Sequence, residues 1–119
     1  MTVGDLEFRV VDAGLAGRLA EFFLELATRE EDSLFAPHPF TEDTAYAIAR
    51  RGGNDFYCVA LHKNQVVAYG LLRGWDAGFE IPSLGITVHP ALRGFGVGLA
   101  LMQYMHAVAA TRGTLVTLG

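Results

Sequence analysis

Three glycines at alternate positions follow an arginine in HPALRGFGVGLALM, residues 89–102. Gly94, Gly96 and Gly98 stand where an apolar helical run begins, although glycine destabilises a helix. A helix N-terminus presents unpaired N–H groups and the positive end of the helix dipole, which together bind phosphate. Glycines clear the approach to that terminus, and Arg93 can add a charge-assisted contact. Residues 93–98, called the cradle below, therefore predict a pyrophosphate site or, alternatively, a tight turn packed closely on a sheet.

The spacing of the glycines excludes two common nucleotide-binding loops. A dinucleotide-binding fold uses G-x-G-x-x-G with an acidic residue about 20 positions later, and residues 114–119, TLVTLG, contain no acid. A P-loop requires a lysine directly after its last glycine, and no lysine follows Gly98. The spacing therefore favours another kind of phosphate-containing ligand.

Composition and charge narrow the class of protein. Of 119 residues, 51% are hydrophobic and 18% are charged, which predicts one folded domain. Residues 1–60 carry eleven acidic and five basic side chains, whereas residues 61–119 carry two acidic and four basic ones. An acidic chain without a basic stripe is a poor nucleic-acid binder. The mildly positive half contains the glycines and suits an anionic ligand.

Cysteine and histidine usage argues against disulfides and metal sites. Cys58 is the only cysteine, which excludes a disulfide within the chain and predicts a cytoplasmic protein. The four histidines form no HxxxH or HExxH pair, so we expect no metal. The N-terminal residues lack the pattern of a secretory signal. The uncharged run 94–111 is short for a membrane span and contains polar side chains, so we expect a buried helix and no membrane partner.

Hydrophobic periodicity predicts the elements that position the cradle. Strands are predicted at 6–12, 55–62, 65–74, 81–89 and 114–119. Helices are predicted at 13–29, at 42–51 and from the glycines to about residue 112. The order β-α-α-β-β-β-α-β, without repeats or linkers, predicts an α/β (α+β) sandwich with a mixed sheet.

Single residues refine this prediction. Asp12 and Thr41 can cap the first two helices, and Lys63 with Asn64 predicts a hairpin between two strands. Gly85 lies inside a strand, which indicates a β-bulge or a close backbone approach.

Residues 84–102, LGITVHPALRGFGVGLALM, resemble the acetyl-CoA-binding motif of the GNAT family of N-acetyltransferases. That motif consists of a strand, a short turn, the pattern [Q/R]-x-x-G-x-[G/A] and a helix, and residues 93–98 match each defined position. The element order also resembles the first elements of the family, so the resemblance covers essentially the whole chain. It implies an acyl-CoA N-acyltransferase fold with a mixed, mostly antiparallel sheet flanked by helices.

The resemblance implies transfer of acetyl from acetyl-CoA, the cosubstrate, to a primary amine by direct attack and without a metal. Ile86, Thr87 and Val88 would pair with the pantetheine amides, and a bulge at Gly85 would splay their strand from the next one. The Val88 N–H is then the predicted donor to the oxyanion of the tetrahedral intermediate. The pyrophosphate would be held by the N–H groups of Arg93, Gly94, Phe95, Gly96, Val97 and Gly98.

An acceptor amine must be neutral to attack, and Glu80 is the predicted general base, with a solvated turn carboxylate as the alternative. In this fold the loop 30–40 and the turn 74–78 would border the acceptor pocket. Surface packing is the alternative for their side chains. Residues 72–86 are similar to sugar-amine acetyltransferases, which suggests an amino sugar as acceptor. The predicted acceptor contacts are Phe35, His38, Phe40, Trp75 and Asp76.

Members of the family continue beyond the strand 114–119 with a helix, in which a Tyr often protonates the leaving CoA thiolate, and with two further strands. We therefore expect a single domain over residues 1–119 that is C-terminally truncated relative to the family. Its last strand would leave an exposed edge, which predicts a homodimer. Two hypotheses follow: an acetyltransferase that acts on a small amine with a C-terminal complement, and a non-catalytic acyl-CoA-binding or regulatory module.

Overall fold

The computed structural model describes residues 3–28, 38–113 and 117–118. In these residues the element order is β1-α1-α2-β2-β3-β4-α3-β5, as the sequence predicts, with short 3₁₀ turns at Val3–Asp5, Ala13–Leu15 and Pro90–Leu92. The α-helices are α1 (Ala16–Ala27), α2 (Glu42–Arg50) and α3 (Val97–Thr111). The strands are β1 (Glu7–Val10), β2 (Phe56–His62), β3 (Gln65–Arg73), β4 (Ser83–Val88) and β5 (Thr117–Leu118).

The chain divides into two compact units, residues 11–52 and residues 1–10 with 53–119. In the first unit α1 packs against α2. The Thr41 hydroxyl accepts a hydrogen bond from the Thr44 N–H at 3.2 Å, so the predicted cap of α2 is confirmed. Asp12 precedes the 3₁₀ turn that leads into α1, but its side chain makes no capping hydrogen bond, and that prediction is wrong.

The second unit contains a sheet of mixed direction. Among the described residues the strand order is β1-β2-β3-β4-β5, with β1 to β4 antiparallel and β5 parallel to β4. Lys63 and Asn64 join β2 to β3 with φ angles of 49° and 65°. Two central residues with positive φ define the turn type whose twist matches a hairpin, so the predicted hairpin is confirmed.

The pairing of β4 with β3 contains no bulge at Gly85. The register between β3 and β4 runs without a shift from Ala68↔Val88 to Arg73↔Ser83, so Gly85 pairs regularly with Leu71. The irregularity lies instead between β2 and β3, at Ala60 and Leu61. Gly85 does not mark a close backbone approach among the described residues either, because the nearest atoms to a β-carbon there belong to the Leu71 side chain.

Helix α3 covers one face of the sheet. Its buried residues recur every four positions, as the helical period requires for one face. They are Val97, Leu101, Met105 and Ala109. Gly70 of β3 lies directly beneath this row, since a β-carbon there would overlap the Met105 sulfur and come within 3.3 Å of the Cys58 sulfur. The glycine therefore sets how closely α3 approaches the sheet.

We expect Gly70→Ala to lower the free energy of unfolding by about 1–3 kcal/mol, the usual effect of overpacking a filled core. The added methyl group forces the buried Met105 side chain out of its position. Urea denaturation followed by circular dichroism measures the change. The matched control is Gly85→Ala in the neighbouring strand, where the nearest heavy atom to the new β-carbon, Leu71 Cδ1, is 3.4 Å away. Equal effects of the two substitutions would contradict this account.

Candidate functional site

The cradle connects β4 to α3 through a backbone that only glycine adopts readily. Gly94 has a φ of 90°, and Gly96, the N-cap of α3, has φ 81° and ψ 8°, which is left-handed. Before the cradle, His89 Nδ1 accepts a hydrogen bond at 3.1 Å from the Ala91 N–H and caps the 3₁₀ turn. The predicted glycines at 94 and 96 thus have a conformational reason, and the chain can turn sharply from the sheet into the helix.

The first turn of α3 leaves its N–H groups available. The Ala100 N–H donates to the Gly96 carbonyl at 3.0 Å, whereas those of Val97, Gly98 and Leu99 find no acceptor among the described residues. They border an open groove of about 370 Å³. Gly98 has a different role from the other two glycines, because it leaves the groove clear beside Val88. The groove is lined by Val88, Leu92, Arg93, Gly94, Gly96, Val97, Gly98 and Leu99.

The backbone of β4 alternates between β3 and an open edge. The His89 N–H donates to the Val67 carbonyl at 2.8 Å, so in this register Thr87 and Gly85 also direct their backbone groups toward β3. The N–H and C=O groups of Ile86 and Val88 therefore point the other way. Beyond Leu84, β4 has no strand partner on that side in the described part of the chain. Ile86 and Val88 form what we call the open edge of β4.

This alternation corrects one predicted contact and adds another. Thr87 uses its backbone in the ladder with β3, so only Ile86 and Val88 of the three predicted residues can pair through their backbone with a ligand on the open edge. Leu92 and Leu99 also line the groove, although the sequence did not suggest them as site residues. Leu99 could have been found, because the third residue of any helix has an unpaired N–H group.

Glu80 lies between β3 and β4, three residues before the first residue of β4, and is exposed. Its two neighbours, Phe79 and Ile81, expose 65% and 49% of their side chains. An apolar surface therefore flanks the carboxylate that the sequence singles out.

Trp75 and Asp76 hold the turn 74–78 in place. The Asp76 carboxylate accepts hydrogen bonds from the N–H groups of Asn54 at 2.7 Å and Asp55 at 3.1 Å. In return, Asp55 Oδ1 accepts from the N–H groups of Gly74 at 3.0 Å and Asp76 at 3.1 Å. The Arg112 guanidinium, at the end of α3, lies 4.3 Å from the Trp75 ring centre and donates to the Asn54 carbonyl. We call Asp55, Asp76 and Arg112 the brace.

The other predicted acceptor contacts belong to the unit 11–52. Phe35 lies outside the described residues. His38 is half-buried, with its ring centre 5.4 Å from that of Phe23 and 5.5 Å from that of Phe40. Phe40 is only 7% exposed and packs on Phe23 at 5.1 Å. The ring of Phe40, which the sequence suggests as an acceptor contact, therefore belongs to the core of this unit.

Cys58, the one cysteine of the chain, is not part of the groove lining. Cys58 is fully buried, and desolvation raises the pKa of its thiol to about 12, so it is protonated and inert at neutral pH. Within the described ranges no group of three or more His, Cys, Asp or Glu residues could hold a metal ion. No helix in those ranges is long and apolar enough to cross a membrane.

The comparison with solved structures shows the fold. The chain resembles the GNAT domain of S. lividans PAT with a TM-score of 0.72 and 20% identity, over 92% of this chain and 68% of that one. It resembles a ribosomal-protein-alanine N-acetyltransferase from Brucella melitensis biovar Abortus 2308 with a TM-score of 0.67 and 16% identity, over 96% and 80%. For an aminoglycoside acetyltransferase from an uncultured soil metagenomic sample, in complex with sisomicin, the TM-score is 0.61 at 16% identity, over 98% and 79%.

Sequence comparison identifies the family. No curated protein matches the chain at a significant level. The sequence profile of the Acetyltransferase (GNAT) family, however, matches residues 19–118, which include most of α1, the whole of β2 to β4, the cradle and α3. The predicted acyltransferase fold is confirmed by the structures above. The chain belongs to the GNAT family of acetyltransferases.

Proposed function

We propose that the chain transfers the acetyl group of acetyl-CoA to the primary amine of a small molecule. The observation that carries this proposal is that the N–H groups of Val97, Gly98 and Leu99, which are free among the described residues, border the same groove as Val88, from which the open edge continues to Ile86. The helix end suits a diphosphate. The open edge suits an extended chain that contains amides, because such a chain can pair with it like a strand. Coenzyme A carries both groups in that order.

The direction of the cosubstrate follows from this order. With the pyrophosphate at the cradle, the pantetheine arm runs along β4 from Val88 toward Ser83. Val88 lies next to the groove and would meet an amide of the arm, whereas the thioester lies further along, at Ile86. We therefore assign the oxyanion donor to the Ile86 N–H in preference to the predicted Val88 N–H. In this direction the thioester also lies nearer the N-terminal end of β4, which Glu80 precedes in the chain.

The reaction needs only these groups from the chain. The amine nitrogen attacks the thioester carbon and the C–N bond forms, while the carbonyl oxygen becomes an oxyanion held by the Ile86 N–H. The C–S bond then breaks and the CoA thiolate leaves. Glu80 takes one proton from the acceptor ammonium before the attack, directly or through water, and the second proton of the nitrogen passes to the CoA thiolate as it leaves.

An amino sugar is the acceptor class that we propose. Amines are cations at neutral pH, and residues 1–60 carry six more acidic than basic side chains, which favours cationic acceptors. Among the proteins of this fold, the aminoglycoside acetyltransferase was solved with sisomicin. The acceptor contacts predicted from the sequence, among them Trp75 and His38, stay predictions.

Release of thiol from acetyl-CoA, measured with a panel of primary amines, tests the proposed activity. We expect turnover that depends on the amine and is highest with amino sugars. Binding of acetyl-CoA by calorimetry without any turnover would overturn the proposal in favour of a non-catalytic acyl-CoA-binding module.

We expect Glu80→Gln to lower kcat/KM at pH 7 by about 10²–10⁴-fold, the usual contribution of a general base. The loss should shrink toward pH 10, because the free amine is then abundant and needs no base. A pH profile of both proteins measures this. Glu42→Gln, an exposed carboxylate in the first turn of α2, is the matched control. An equal loss at all pH values would contradict a role for Glu80 in proton transfer.

A further inference from the structure

Gly85 is a glycine in the middle of β4 for which the fold gives no reason. Its φ is not positive, and the register with β3 runs through it without a shift. A β-carbon there would have ordinary contacts with Leu71, whose Cδ1 and Cγ would lie at 3.4 Å and 3.5 Å. Gly70 differs, because a side chain there would overlap Met105. Since glycine weakens a strand, Gly85 lowers stability and nothing in the packing offsets the loss.

The side chains of β4 divide between two different faces. Leu84 is 4% exposed and belongs to the core under α3, and Ile86 and Val88 pack against that core. Ser83, Gly85 and Thr87 point to the opposite face, on the side of Leu71. All three are half-buried, as are Ile86 and Val88, and neither hydroxyl has a hydrogen-bond partner among the described residues. The face of β4 that carries Gly85 therefore has two short polar side chains and, between them, a position without a side chain.

The stereochemistry of acyl transfer selects between these faces. When the pantetheine arm pairs with the open edge like an additional strand, its thioester carbonyl lies in the plane of the sheet. The carbonyl oxygen then points toward the Ile86 N–H. A nucleophile must attack the carbonyl carbon from above or below that plane. On the α3 side the Ile86 side chain lies beside the carbonyl and packs against the core, whereas the other face has only Ser83, Gly85 and Thr87, so we expect the amine over that face.

We propose that Gly85 determines which acceptors react, because its missing side chain leaves the space through which the amine and its substituents reach the thioester. The hydroxyls of Ser83 and Thr87 flank this space and offer hydrogen bonds to a polar acceptor, such as a sugar. This inference rests on the proposed function and adds the residue that limits acceptor size.

Gly85→Ala and Gly85→Val test the inference with ethanolamine, glucosamine and sisomicin as acceptors of increasing size. We expect Gly85→Val to raise KM for sisomicin at least tenfold and for ethanolamine less than twofold, with Gly85→Ala between the wild type and Gly85→Val. The affinity for acetyl-CoA should stay within twofold of the wild type. The melting temperature should stay equal or rise, because a β-branched residue favours a strand, whereas a merely structural glycine would lower it when replaced.

Thr87→Val, which removes the hydroxyl without adding bulk, serves as the second variant. It should raise KM for glucosamine and leave KM for ethanolamine unchanged. If the wild-type chain acetylates none of the amines, the proposed function fails, and this inference fails with it. If the wild type is active but Gly85→Val affects all three acceptors equally or loses melting temperature, only the inference is overturned.

Discussion

Gly96→Glu is expected to weaken the binding of acetyl-CoA at least 100-fold, or by ~2.7 kcal/mol. Gly96 adopts φ 81° as the N-cap of α3 and lines the groove, so a glutamate strains the backbone where the N–H groups converge. It also brings a carboxylate next to the pyrophosphate, where like charges repel. Titration calorimetry with acetyl-CoA measures the loss, and thermal melting shows whether the fold remains.

Gly113→Glu is the matched control at the other end of the same helix. Gly113 has φ 73°, so a glutamate is strained there in the same way, and a β-carbon meets nothing within 4 Å. Both substitutions should lower the melting temperature similarly, while only Gly96→Glu loses acetyl-CoA binding. Normal binding by Gly96→Glu would exclude residues 93–98 as the phosphate site and remove the basis of the proposed function.

Ile86→Pro is expected to lower kcat about 10²–10³-fold, the usual effect of removing an oxyanion donor. Proline lacks the N–H group, and in β4 this group points to the open edge and makes no ladder bond with β3. Proline is tolerated in a strand when its missing N–H faces an edge, and the preceding residue, Gly85, adapts to it readily. Steady-state kinetics with a saturating amine gives kcat, and calorimetry gives the affinity for acetyl-CoA.

Two further variants separate the N–H group from other effects. Ile86→Ala keeps the N–H but loses the half-buried side chain, so it should keep most of the activity. Val88→Pro removes the N–H nearest the cradle and should weaken acetyl-CoA binding more than it lowers kcat. If Val88→Pro loses kcat while Ile86→Pro only loses affinity, the assignment of the two N–H groups must be exchanged.

The sequence predicts the element order and the cradle well because both are local patterns. The hairpin at Lys63 and Asn64, the cap at Thr41 and the glycines at 94 and 96 each depend on the conformation of a few adjacent residues. Sequence reasoning is wrong where pairing between distant residues decides. The bulge at Ala60 and Leu61 has no glycine to mark it. The backbone groups of Thr87 point toward β3, whereas those of Ile86 and Val88 point away from it, and only the register with β3 shows this difference.

The predicted acceptor contacts show a second limit. The sequence marks Trp75 and Asp76 as exposed turn residues, and only the structure shows that they bind residues twenty or more positions away. Phe40 follows two prolines and has the sequence environment of a loop, but its ring packs on Phe23. Long-range hydrogen bonds and aromatic packing produce no periodic pattern of residue types in the sequence. Side chains in loops are therefore the least predictable part of the candidate site.

The brace fixes the C-terminal end of α3, which bears on the geometry of the proposed acetyl transfer. Helix α3 begins at the cradle and ends at Arg112. The Arg112 guanidinium donates a hydrogen bond to the segment before β2 and lies over the ring of Trp75. With 15 residues, the helix is a strut of about 22 Å at 1.5 Å per residue. In the proposed reaction one end would hold the phosphates, while the other contacts Trp75 in the turn that precedes Glu80. If the proposed roles hold, the length of α3 sets the distance between the phosphate site and Glu80, and we expect the chain to use only acyl donors whose arm spans that distance.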